Sequence, residues 1–179
     1  MLIAVPAVVA VPQAPAKEQA SSTLPRADAD FIKEALQDNI AEVKLGELGQ
    51  QRAASDAVRE FGKRMATDHA KALDELKQLA SQKGVAVPTA LARGHQRLYD
   101  RLAKLSGAEF DRAYMKERAH DHDKDVKAFD KEANSGKDPD VKAWAAKTLP
   151  TLKEHQGQAK QVYASVQGKG SPSASPRQK

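Results

Sequence analysis

The sequence predicts an all-α bundle of four long helices, and three observations predict it. Aromatic residues make up only 4% of the 179 residues, while Ala, Lys, Leu, Glu and Gln are plentiful, a mixture that favours helix. No stretch alternates apolar and polar residues with the β-branched richness of a strand. Apolar residues recur instead at helical spacing in four long segments, separated by two tight turns and one long connection.

The first helix is expected over about 28–54, opening at Asp28 or Asp30, with Phe31, Ile32, Ala35, Leu36, Ile40, Val43, Leu45 and Leu48 as apolar positions. The second is expected over about 56–83, with Ser55 as N-cap and Gly84 as the stop. The third starts after Ser106, where Ser106-Gly-Ala-Glu109 has the pattern of a capping box, and ends at Asn134-Ser135-Gly136. The fourth opens with Asp138 as N-cap and Pro139 at the first helical position, and continues to about Gln167, with a kink expected at Pro150. Each helix of about 28 residues spans roughly 40 Å. The short turns make two antiparallel hairpins. The connection 84–106 begins extended at Val85, Val87 and Pro88 and is expected to hold a short helix around 90–104. That is enough chain to cross the length of the bundle. Two hairpins joined by one long crossover is the ferritin-like topology.

Charge and cysteine content narrow the chemistry. Of the net charge of +5, three come from Lys169, Arg177 and Lys179 and one from the balance of Lys17, Glu18 and Arg26. The stretch 27–167 is therefore close to neutral, without the basic face that nucleic-acid binding requires. The absence of cysteine rules out disulfides, thiolate metal sites and cysteine nucleophiles. No nucleophile–base pair, phosphate-binding glycine loop or cofactor fingerprint is present.

The ends carry no fold signal. Residues 2–11, LIAVPAVVAV, are too short to span a bilayer, and Ala14-Pro15-Ala16 follows as a small-x-small site. Residues 1–16 thus resemble the remnant of a secretory signal peptide, although no basic residue precedes the run and Pro6 and Pro12 interrupt it. A periplasmic or otherwise exported location is expected. Residues 17–26 read as a linker, 27–167 as the bundle, and 168–179 as a disordered basic tail with the option of a peripheral envelope contact.

Placed on their helices at about 100° per residue, four polar residues turn inward. His69 lies among Val58, Gly62, Met65, Leu73, Leu76 and Ala80, and His155 shares a face with Val141, Trp144, Thr148, Ala159, Val162 and Val166. His122 lies between Met115, Val126, Phe129 and Ala133, and Glu42 with Phe31, Ala35, Gly46, Gly49 and Ala53. All four sit near the midpoints of their helices, so they should meet in one layer. A buried carboxylate and buried imidazoles need partners, and a divalent cation supplies one. Three neutral imidazoles and a carboxylate make a plausible N/O ligand set, with Asp125 as a further ligand and Asp68 or Asp121 as acceptors for histidine N–H groups. Zinc or iron is the first expectation for the ion, with manganese or copper as alternatives. The competing reading is a hydrogen-bonded polar network without metal. His95 and His120 are expected to be exposed and uninvolved, and the HDHDKD run (120–125) to be a solvated face.

Four stretches carry a family resemblance: ADADFIKEALQDNIAEVKLGELG (27–49), VREFGKRMATDHAKALDELKQLASQKGVAVP (58–88), LSGAEFDRAYMKERAHDHDKDVKAFDKEA (105–133) and DPDVKAWAAKTLPTLKEHQ (138–156). With their Met-x-x-Asp-His and Leu-Pro-x-Leu-x-x-His elements, they resemble a widespread bacterial family of exported proteins, a domain of unknown function whose members are often labelled outer membrane proteins. The resemblance implies a ferritin-like fold and an exported location, and no activity. The likeness to true ferritins is architectural only. Ala66 and Leu152 stand three residues before His69 and His155, where a di-iron site resembling theirs would have glutamates. A mononuclear site is therefore the expectation. The functional readings are, in order, a metal-binding protein for buffering or envelope stress, a structural or interaction protein of the envelope without metal, and a metal-dependent oxidase or peroxide scavenger.

Overall fold

The computed structural model describes residues 24–168. The expected signal-peptide remnant (1–16), most of the expected linker (17–26) and all but the first residue of the expected basic tail (168–179) lie outside the described residues. Five helices form a helical bundle, with no strand among the described residues: α1 (Arg26–Arg52), α2 (Asp56–Gln82), α3 (Arg93–Ala103), α4 (Gly107–Ser135) and α5 (Pro139–Gln167). No helix of the described residues is long and apolar enough to cross a membrane.

The α1–α2 and α4–α5 hairpins are the most extensive packings. In the first, the backbones nearly touch: a Cβ on Gly46 would lie 2.6 Å from Ala66 N and Gly62 O, and one on Gly62 would lie 2.8 Å from Gly46 O. Only glycine permits this approach. Asn39 meets His69 further along, so α1 and α2 run in opposite senses. In the second, Asp123 meets Gln156 and Phe129 meets Trp144, again in opposite senses. α3 lies in the connection against α1 and α4, burying Leu102.

Each hairpin turn is held by an aspartate from the other hairpin. Asp111, on α4, accepts from Ala54 N (3.0 Å) and Ser55 N (2.8 Å), binding otherwise free N–H groups where α2 begins. Asp28, in the first turn of α1, accepts from Lys137 N and Asp138 N. The expected caps are corrected accordingly. Ser55 stands at the N-cap of α2 with no side-chain cap bond, and Asp111 instead holds the backbone N–H of Ala54 and Ser55 just ahead of the helix. Ser106 likewise makes no cap bond. Gly107 beside it has φ 60°, a left-handed turn that draws the chain away from capping-box geometry. Asp138 does cap α5, accepting from Asp140 N (3.0 Å) and Val141 N (3.2 Å), with Pro139 next. Gly84, at φ 69°, ends α2. α1 starts at Arg26 rather than Asp28, with Ala29 N bonded to Pro25 O. Its last residue is Arg52 rather than 54, and α3 spans Arg93–Ala103 within the expected 90–104. α5 runs through Pro150 as one helix.

The apolar core divides in two. One cluster joins Leu45, Leu48, Phe61, Met65, Phe110, Tyr114, Met115 and Val162. The other joins Ile32, Leu36, Leu76, Phe129, Val141, Trp144 and Leu152. Each fully buried aliphatic side chain contributes roughly 1.5–3 kcal/mol. Between the clusters, at mid-helix, lies a layer of buried polar residues: Asn39, Glu42, His69, Arg118, His122 and His155.

Candidate metal centre

His69, His122 and His155 reach this layer from α2, α4 and α5, because each occupies the apolar face of its helix. All three are at most 5% exposed. Their rings form a nearly equilateral triangle, with centroid separations of 5.3 Å (His69–His155), 5.5 Å (His122–His155) and 5.6 Å (His69–His122). Each ring has one nitrogen engaged and one bare. His69 Nδ1 lies 3.0 Å from Asn39 Oδ1, whose own amide nitrogen donates to Ala35 O at 2.8 Å. His122 Nδ1 lies 3.0 Å from the Arg118 carbonyl oxygen, and His155 Nε2 lies 2.8 Å from Asp68 Oδ2.

The three partners are acceptors, so the engaged nitrogens carry the protons and the others carry lone pairs. Those others, His69 Nε2, His122 Nε2 and His155 Nδ1, have no hydrogen-bond partner. The triad offers one ligand atom per residue, all within 4.8 Å of one another. Three buried acceptors without a donor, in rings packed this closely, are costly, and a cation resolves the cost. Imidazoles whose second nitrogen is tied to a carboxylate, amide or carbonyl oxygen are the arrangement expected around a metal.

Burial holds the histidines neutral. It pushes His69 down to about 3, with the Arg118 charge adding to the effect and Glu42 opposing it. Burial also lowers His122 and His155, the latter against its bond to Asp68. All three thus present lone pairs at neutral pH.

The α1–α4 side of the layer is charged instead. Burial would raise the Glu42 carboxyl, yet the adjacent Arg118 guanidinium, by its charge and its hydrogen bond, carries it down to about 2. Arg118, fully buried, donates to Glu42 Oε1 and to Asp121 Oδ2 (2.8 Å). Glu42 Oε2 has no partner. Asp125, half-buried, has its carboxyl raised well above the usual range by burial and by Glu42, Asp38 and Asp121.

The five expected ligands therefore do not form one set. Among the described residues, two groups converge: His69, His122 and His155, and Glu42, His122 and Asp125. Glu42 joins the second because Arg118 holds it on the α1–α4 side. Asp68 is the acceptor for His155, while Asp121 serves Arg118 rather than a histidine. His120 is exposed, and in the HDHDKD run Asp123 faces outward to Lys160 and Gln156. His95 departs from its expected exposure: it is half-buried, 3.3 Å from Asp38, because α3 lies against α1. Sequence reasoning missed Arg118 and Asn39. Both stood on the inward faces, one turn from His122 and Glu42 respectively, but long cations and amides are usually assigned to solvent.

The family model for a domain of unknown function, DUF4142, matches residues 13–162. Two solved structures resemble the fold. One is a DUF305 fragment from Deinococcus radiodurans, at 13% identity and TM-score 0.69, covering 79% of this chain and 98% of that chain. The other is CopM in the Cu(II)-bound form, at 19% identity and TM-score 0.64, covering 77% of this chain and 96% of that chain. No curated protein matches the chain. At these identities the two likenesses concern the fold alone.

Proposed function

The chain belongs to the DUF4142 family, a domain of unknown function, and we propose that it is an exported metal-binding bundle holding one divalent transition-metal ion through His69, His122 and His155. The observation that carries this reading is the convergence of three buried histidines that bring one ring nitrogen each within 4.8 Å of the others, each ring having one nitrogen backed by an oxygen acceptor and one without a partner. Three imidazoles suit zinc, copper, iron or nickel. The Cu(II)-bound state of the similarly folded CopM adds support for metal binding. Export rests on the apolar run and small-x-small site of residues 1–16. We read the chain path as ferritin-like, from the two hairpins of opposite sense and the crossover carrying α3. Buffering or envelope stress is the role in keeping with a site buried between two apolar clusters.

Elemental analysis of the full chain without an affinity tag tests the reading. About one equivalent of metal is expected, lost in His69→Ala and His155→Ala. Metal-free protein whose melting temperature ignores added zinc, copper, iron and manganese would sink it. One observation favours a second reading, a structural layer without metal: Arg118 and Glu42 already satisfy much of the layer as a buried ion pair. That reading expects the histidine substitutions to alter stability alone.

A further inference from the structure

The triad leaves half of the polar layer unused. Glu42, 4% exposed, keeps Oε2 without a partner, and the fully buried His122 keeps Nε2 bare. Together with Asp125 they offer three ligand atoms within 4.8 Å of one another. Unlike the triad, this group reaches solvent. Glu42 and Asp125 line a cavity of about 250 Å³ on the α1–α4 side, which His95 of α3 also lines. Its wall carries five carboxylates, Glu34, Asp38, Glu42, Asp121 and Asp125, against two fixed cations, Arg118 and Lys124. Arg118 offsets Glu42 and burial favours the neutral form of Asp125, so the excess rests on Glu34, Asp38 and Asp121 against Lys124, and a concave surface with that excess concentrates cations. On the α2–α5 side, the cavity of about 240 Å³ that reaches Asp68 has three carboxylates against three cations and no such excess.

His122 belongs to both ligand groups but has a single bare nitrogen, its Nδ1 being bonded to the Arg118 carbonyl. One lone pair serves one ion at a time. The two positions are therefore alternatives for one ion. We propose that Glu42, Asp125 and His122 form an outer cation position, from which a divalent metal ion passes to the inner triad with His122 as the ligand common to both. The proposal rests on the triad reading above. The outer position is rich in oxygen and lines the cavity, suited to capturing a hydrated cation, and the inner one is all nitrogen and buried, suited to retaining a transition metal.

Stopped-flow addition of Co(II) to the metal-free full chain tests this, with the d–d absorption reporting coordination. Asp125→Asn and the surface double variant Glu34→Gln/Asp38→Asn should reach the wild-type final spectrum at one equivalent, but about tenfold more slowly at low ionic strength. The deficit of the double variant should shrink as salt is added. Glu75→Gln, on the opposite cavity, should leave the rate unchanged. Rates within about twofold of wild type in both α1–α4 variants would overturn the relay and leave the triad standing. An altered final spectrum in Asp125→Asn would make Asp125 a resident ligand and also overturn it. An equal slowing by Glu75→Gln would contradict the side assigned. No Co(II) spectrum in the wild type would remove the triad reading itself. The double variant lies at the cavity mouth and keeps the test open if Asp125→Asn fails to fold.

Discussion

The two sides of the polar layer meet the same cost, polar atoms placed in a core, in opposite ways. On the α2–α5 side His69, His122 and His155 shed charge, and each pins one nitrogen to an oxygen acceptor. On the α1–α4 side Glu42 and Arg118 keep their charges and neutralise each other. The first solution leaves neutral lone pairs that await a cation. The second leaves a fixed ion pair beside an acidic cavity. Burial thus sorts the layer into a part suited to binding and a part whose charges must stay paired.

The largest expected effect comes from breaking the ion pair. Arg118→Met leaves Glu42 as an unpaired buried charge and should cost about 3–5 kcal/mol in urea unfolding. Arg118→Met/Glu42→Gln should recover much of that loss. A single variant within about 1 kcal/mol of wild type would mean that the two sides do not differ in kind.

Acid should separate the sides by pH window. His69 is depressed from 6.5 to about 3, so between those values the unfolded chain binds the extra proton and stability falls as the pH falls. Glu42 is depressed from 4.5 to about 2, so its contribution is intact above 4.5 and lost on the way down to 2. Metal-free protein should lose at least about 2 kcal/mol between pH 6.5 and 4.5, read from urea midpoints, and His69→Phe should shrink that loss, with His122 and His155 supplying the remainder. A flat wild-type profile there would contradict the neutral histidine side.

The acceptors come next. Asn39→Leu or Asp68→Asn frees the orientation of His69 or His155 and should weaken zinc binding by about 10–100-fold in competition titrations. Unchanged affinity would mean that the tautomers are not set by these partners. The smallest effect should be that of His120→Ala, within about 0.5 kcal/mol in stability and without change in zinc affinity, because His120 is exposed.

Local signals in the sequence were readable, and tertiary ones were not. Asp138-Pro139 and Gly84 act within one helix end and behave as the sequence implies. Ser55 carries an equally good local signal, yet Asp111, 56 residues away in sequence, holds that helix start. The inward phase of the three histidines followed from periodicity, since a mid-helix residue on an apolar face has few other places to go. Arg118 followed from nothing local. Its burial makes sense only with Glu42 opposite, 76 residues apart, and that pairing is what divides the expected ligand set in two. His95 was misplaced for the same reason, because its environment is made by the packing of α3 on α1 rather than by its own segment.

The central claim is that His69 Nε2, His122 Nε2 and His155 Nδ1 are bare and aimed at one ion. Histidine-selective nitrogen NMR during a zinc titration tests it most directly. The account predicts two Nδ1–H rings and one Nε2–H ring before zinc, followed by concerted movement of only those three unprotonated nitrogens, complete at one equivalent. Different tautomers, or unprotonated signals that stay in place as zinc is added, would contradict it.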